Sequence, residues 1–269
     1  MRPKGARAGS DRQATARPSA RSSPEGRLDA MQKAIAAVAF LLVLAAFPAL
    51  AGDRHLVQPL GYSEDGRYFA FEEFGGEGDG SVAMARISII DVTSDTQTPG
   101  SPFAAEGNED DTLAGVRRKV AAEAASQLAA LKISAPAQFV SMVGDGVAGA
   151  NGFALRFGAP GSGYGAEVYG DRLLTLEVFE TDDRSRPICE PSGARPKGFA
   201  LAIAEAGIPR EIYRDTRVPQ SRGCVLDYRL YGVVLPYNQD LSKAVALVSV
   251  LTPGFEGYVR GFIAVPVGK

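Results

Sequence analysis

Two cysteines, Cys189 and Cys224, and a single histidine, His55, are all this chain offers for thiol or imidazole chemistry. An even pair of cysteines in an oxidising compartment is expected to form a disulfide. The alternatives are two free thiols or part of a metal site, and no neighbouring His or further Cys completes a metal set. A bridge closing a loop of this length stabilises a fold by about 3–4 kcal/mol in the chain-entropy model. A hydrolase triad needs an imidazole held between a nucleophile and an acid. His55 lies close to the expected mature N-terminus, where residues are commonly mobile, so it reads as a solvated terminal residue.

Carboxylates occur in clusters: Glu72-Glu73, Glu109-Asp110-Asp111 and Asp182-Asp183. Paired acids bind calcium or act in glycoside hydrolysis. None of these has the alternating Asp spacing of a calcium loop, and the second cluster reads as charge at a helix start. The run Gly158-Ala-Pro-Gly-Ser-Gly-Tyr-Gly165 has the glycine content of a phosphate cradle. A strand pattern follows it rather than a helix, and no Lys or Thr stands at the nucleotide-binding positions, so it reads as a hairpin loop. Tyr228, Tyr231 and Tyr237 cluster near the last strands and read as core packing or interface rims. The sequence therefore assigns no catalytic residue, no cofactor and no metal.

The elements that would position these residues begin after an export signal. Residues 1–30 are rich in Arg, Ser, Ala, Pro and Gly, lack aromatics, and read as a disordered extension or a start upstream of the true initiator. Met31 and Lys33 open an apolar run over 34–47, Pro48 breaks it, and Ala49 and Ala51 stand where signal peptidase reads. The run is shorter than the roughly 20 apolar residues of a spanning helix. Cleavage after Ala51 would leave a mature chain starting at Gly52, with no stable membrane anchor. That chain has 21 basic against 28 acidic side chains, a net charge of −7. Such a balance argues against nucleic acid as a partner, because phosphate neutralisation draws on Lys and Arg.

Residues 52–269 read as one α+β domain, mostly antiparallel β-sheet with one long amphipathic helix and one short helix. Asp65-Gly66 marks a turn before a strand at 67–73, and 86–92 forms the next strand. Leu113, Val116, Val120, Ala124, Leu128 and Leu131 recur at three- and four-residue steps, which predicts a helix within 108–132. Strands are expected at 153–157, 166–169 and 173–180. Phe199, Ile203 and Ala206, followed by Gly207 and Pro209, predict the short helix at 198–206. Strands at 224–235, 244–252 and 258–266 complete the domain, with 252–257 as the hairpin loop between the last two.

The segment Ser63-Glu-Asp-Gly-Arg-Tyr-Phe-Ala-Phe71 followed by Ile87-Ser-Ile-Ile-Asp91 resembles one blade unit of periplasmic propellers of the TolB type, and it occurs once. Over its mature length the chain resembles the bacterial family of secreted proteins called domain of unknown function 2259. The resemblance is carried by Ala51-Gly52-Asp53, by 61–73, and by Val248-Ser-Val-Leu-Thr-Pro-Gly-Phe-Glu-Gly257. It implies a periplasmic or secreted protein and carries over no catalytic residue. The expected function is a non-enzymatic binding or interaction module of the cell envelope, with an envelope protein or glycan as partner. The alternatives are a carboxylate-based periplasmic hydrolase, and a small-ligand binder with its pocket between the long helix and the sheet.

Overall fold

The computed structural model describes residues 54–76, 82–145, 151–161, 167–181, 189, 193–254 and 257–268. The signal segment with Ala49 and Ala51, the pair Asp182-Asp183 and part of the 158–165 loop lie outside the described residues. In chain order the elements are β1 (Leu56–Ser63), β2 (Tyr68–Gly75), β3 (Met84–Asp91), β4 (Thr96–Gln97), β5 (Phe103–Glu106), α1 (Leu113–Ala130), β6 (Ile133–Ala135) and β7 (Ala137–Met142). There follow β8 (Ala154–Pro160), β9 (Val168–Glu180), β10 (Lys197–Glu205), β11 (Ile208–Arg214), β12 (Asp227–Pro236), β13 (Val245–Gly254) and β14 (Gly257–Pro266). The fold is α+β and mainly antiparallel strand.

Three sheets stack. Sheet I runs β4-β3-β2-β1-β6, with β5 also on β3; sheet II runs β14-β13-β12-β7; sheet III runs β11-β10-β9-β8. Helix α1 lies on the outer face of sheet I. Val116, Val120 and Ala124 pack there against Ala70, Ala85, Ile87 and Ile89. Sheet II is covered on both faces, and β13 shows how. Val245 and Leu247 meet Tyr62, Phe69 and Phe71 of sheet I, while Ala246, Val248 and Val250 meet Leu174, Phe199 and Leu201 of sheet III. That is why 244–250 is almost unbroken apolar sequence: a strand covered on both sides has no solvent face to fill with polar residues.

Local chemistry accounts for the turns. Gly66 takes φ of +67° and its N–H donates to Ser63 O at 2.8 Å, while Asp65 Oδ1 accepts from Arg67 N at 3.0 Å. The helix is capped by Thr112, whose Oγ1 accepts from Gly115 N at 3.2 Å. The acids expected to cap it are used one turn earlier, with Asp111 accepting from Asn108 N and Asn108 accepting from Asp110 N.

The short helix expected at 198–206 is instead strand β10, paired on both sides by β9 and β11. Phe199, Leu201 and Ile203 alternate into the core at period two. The helical spacing was met only because the intervening positions are alanines, which serve either period. Ala206 and Gly207, both at positive φ, form the two-residue hairpin turn into β11, so the glycine that reads as a helix stop is a hairpin signal. The segments 166–169 and 173–180 join into the single strand β9, which continues through Gly170 at φ +62°. Strand β1 was not foreseen because Pro59 interrupts it, and the pairing with β2 slips at Pro59/Gly61.

Candidate functional site

Glu72 and Glu73 are adjacent on β2, so the strand period sends them to opposite faces. Glu72 faces α1. Arg117 reaches it with Nε at 2.8 Å from Oε1 and Nη2 at 2.6 Å from Oε2, and also donates to Gln58. Glu73 faces sheet II. Its Oε1 stands 2.9 Å from His55 Nδ1 and its Oε2 accepts from Phe262 N at 3.1 Å. Both carboxylates are buried with a partner on each oxygen, and they do not converge on a common space.

His55 is not solvated; only 8 % of it is exposed. A buried carboxylate at Glu73 needs donors, and the imidazole is one of them. Gly75 makes the approach possible, since a Cβ there would stand 2.5 Å from His55 Cδ2. The His55 carbonyl accepts from Arg260 Nε at 3.0 Å and Nη2 at 2.8 Å. Arg260 then grips Asp145 with both terminal nitrogens, at 2.6 and 2.9 Å. The Arg260 guanidinium holds the Asp145 carboxyl below the usual carboxylate range. The His55–Glu73 contact resembles the acid–imidazole half of a triad, yet among the described residues no hydroxyl or thiol is hydrogen-bonded to the other ring nitrogen.

Beside this network, at the end of sheet II, lies a pocket of about 310 Å³. Its polar wall is Asp145, Asn151, Arg229, Ser249 and Arg260; Leu230, Tyr231 and Leu251 supply apolar surface. Arg229 pairs with Asp227, donates from Nη1 to Tyr228 O at 2.7 Å and lies over the Phe153 ring. Gly152, at φ +66°, lets it do so, since a Cβ there would stand 2.9 Å from Arg229 Cβ. Asn151 Oδ1 accepts from Phe153 N at 3.0 Å. Three groups keep hydrogen-bonding capacity unused among the described residues: the Asn151 amide NH2, the Nε and Nη2 of Arg229, and the hydroxyl of Ser249, a residue only 5 % exposed.

A second arginine, Arg222, is largely buried, with a side chain 13 % exposed. Its Nη1 donates to both Asp215 oxygens at 2.9 and 2.7 Å, and its Nη2 to Tyr213 Oη at 2.7 Å. Asp215 also accepts from Phe199 N and Tyr213 Oη, and Tyr228 packs against the Phe199 ring. Burial, then the hydrogen bond to Asp215, pushes the Tyr213 phenol up; burial does the same to Tyr228. Two residues on, Cys224 is joined to Cys189 by a disulfide, Cα atoms 5.5 Å apart.

Of the residues singled out from sequence, Tyr231 reaches the pocket, His55 backs it through Arg260, and Tyr237 is exposed. Arg229, Asn151, Ser249 and Arg260 carried no motif. The one available signal was an arginine inside each of two mostly apolar strands long enough to be buried, Arg229 in β12 and Arg260 in β14: such a residue needs a partner. At the α1–sheet I interface, where the small-ligand alternative places its pocket, Val116, Val120 and Ala124 pack against Ala70, Ala85, Ile87 and Ile89.

Among the described residues no helix is long and apolar enough to cross a membrane, and no group of three or more His, Cys, Asp or Glu side chains is placed to hold a metal ion. A family model described as "Predicted secreted protein (DUF2259)" matches residues 70–268. No curated protein and no solved structure matches the chain.

Proposed function

The chain belongs to the DUF2259 family of predicted secreted proteins, and from that premise we propose that it is a non-enzymatic binding protein of the cell envelope. On this reading 31–51 is a signal peptide cut after Ala51, and the mature protein works in the periplasm or beyond the cell. The observation that carries the reading is a contrast in how polar groups are used. The buried carboxylates Glu72, Glu73 and Asp215 are spent on partners within the chain. The donors left without a partner and still open to a ligand include those of Asn151, Arg229 and Ser249 in the pocket, whereas the nitrogens of Arg86 and Arg172 that lack a hydrogen bond are enclosed. A hydrolase working through carboxylates needs two acids facing one cleft, with one held protonated by burial. Glu72 and Glu73 lie on opposite faces of a strand, which speaks against that alternative.

The test is site-specific photo-crosslinking in cells at native expression. A photoreactive side chain at Leu251, on the pocket wall, is expected to yield one discrete adduct with an envelope component. The same group at Glu123, on the exposed side of α1, is expected to yield none. A blank at Leu251, or equal labelling from both positions, would overturn the proposal.

A further inference from the structure

We infer that the pocket bounded by Asn151, Arg229, Ser249 and Arg260 takes a neutral polyhydroxylated ligand, a mono- or disaccharide unit. The inference rests on the binding reading above and names its ligand class. Four features of the pocket lead to it.

The first is charge. Arg229 is paired with Asp227, and Arg260 with Asp145, so each guanidinium at the site already has a carboxylate. An anionic ligand would have to displace the two-point grip of Asp145 on Arg260, or leave the Arg229–Asp227 pair uncompensated. A neutral ligand disturbs neither.

The second is the set of unused groups. The Ser249 hydroxyl both donates and accepts, Asn151 and Arg229 offer donors, and the half-exposed Asp145 carboxylate keeps lone pairs free. Sugar hydroxyls are themselves both donors and acceptors, and adjacent hydroxyls match the spacing of planar amide, guanidinium and carboxylate groups. Ser249 is the sharpest element of the set. Its hydroxyl has no partner in the chain and, unlike the enclosed Arg86 and Arg172 nitrogens, keeps contact with the pocket space, where a ligand can reach it.

The third is shape. Leu230, Tyr231 and Leu251 give apolar surface for the C–H faces of a ring, and about 310 Å³ lies at the lower end of small-ligand clefts. The fourth is the place in the fold. Ser249 is on β13, paired on both sides. Arg229 is on β12, which pairs there with β13, while its other edge is taken up by the Leu230 N–H donating to Gly152 O and the Val143 N–H donating to Tyr231 O. No open strand edge is offered there, so an extended peptide could not add itself by main-chain pairing. Recognition has to be by side chains.

The experiment is nuclear magnetic resonance titration of the mature chain with N-acetylglucosamine, its β-1,4 dimer and maltose, alongside inorganic phosphate, succinate and trialanine. At least one saccharide is expected to shift the resonances of Arg229 and Ser249, with phosphate, succinate and trialanine silent. Ser249→Ala and Asn151→Ala are each expected to weaken that saccharide about three- to tenfold. Ser249→Ala should leave the melting temperature unchanged, because its hydroxyl has no partner in the chain to lose. Sedimentation with purified peptidoglycan sacculi separates the sources: pelleting that falls with Ser249→Ala points to the polymer, and saccharide binding without pelleting to a free sugar.

A response to phosphate, succinate or trialanine in place of the saccharides would overturn the inference. So would saccharide binding indifferent to both substitutions, or silence at saccharide concentrations well above the millimolar range. If the Leu251 crosslink forms while every saccharide is silent, the binding protein stands and its ligand class falls. If both fail, both fall.

Discussion

Arg222 and Arg260 are both largely buried arginines that grip an aspartate through short hydrogen bonds, yet their surroundings differ in kind. Asp215, the partner of Arg222, has a side chain only 2 % exposed; Asp145, the partner of Arg260, is 43 % exposed. Around Arg222 the remaining positions are closed by Tyr213, Tyr228 and Phe199, and the disulfide fastens the same loop two residues later. Around Arg260 the neighbouring space is a pocket with unused donors. The same ion pair therefore closes one region and frames an opening in another. What differs is whether the shell around it is saturated.

Breaking the closed centre should cost most. Arg222→Met leaves Asp215 charged and buried, which typically costs about 3–5 kcal/mol. Urea unfolding should show a loss of that size, and a loss under about 1 kcal/mol would mean that the enclosure is not what holds this loop. Next comes the disulfide that fastens the same loop. Intact mass before and after reduction should give a chain starting at Gly52 with both thiols protected until reduction. Reduced protein should be less stable by about 3–4 kcal/mol. An uncleaved chain with free thiols would remove export and bridge together.

At the open centre the expected cost is smaller. Arg260→Met should lose about 1–3 kcal/mol, since Asp145 can rehydrate and the main loss is the pair of bonds to the His55 carbonyl. Its effect on stability should stay below that of Arg222→Met; the reverse order would break the comparison.

The smallest effects are in pH dependence, and they separate the two centres by sign. The Tyr213 and Tyr228 phenols are raised, chiefly by burial. Their contribution is complete below the unfolded value of about 10 and is lost as pH rises through the folded one. The Asp145 carboxyl is lowered by Arg260. Its contribution is present above the unfolded value of about 3.9 and is lost as pH falls through the folded one. Tyr213→Phe should therefore flatten the alkaline limb of stability against pH, and Asp145→Asn should slightly flatten the acid limb. Denaturation midpoints measured across pH for the two variants check both.

Legibility from sequence followed distance along the chain. Helix α1 was readable because Val116, Val120 and Ala124 recur every four residues, and the start of β2 because Asp65-Gly66 marks a turn before an aromatic strand. β10 was misread because an alanine-rich run satisfies the helical and the strand period equally. Only its pairing with β9 and β11 breaks the tie. His55 was misread because nothing near it in sequence says that a carboxylate waits for it; Glu73 is 18 residues away and buried by sheet II.

By itself the sequence determined what a window of a few residues can hold: the α+β class, the amphipathic helix, the turn glycines and a pair of cysteines suited to a bridge. Tertiary structure decided which polar groups are spent and which stay free. Arg260 meets Asp145 across 115 residues, Phe262 N meets Glu73 across 189, and Arg260 meets the His55 carbonyl across 205. Those meetings depend on the order in which three sheets stack, and stacking is driven by apolar burial that is non-directional and blind to individual polar atoms. Hence Glu72 and Glu73, which look chemical in the sequence, are spent on partners within the chain, while the pocket is lined by an asparagine, a serine and two arginines that no motif marked.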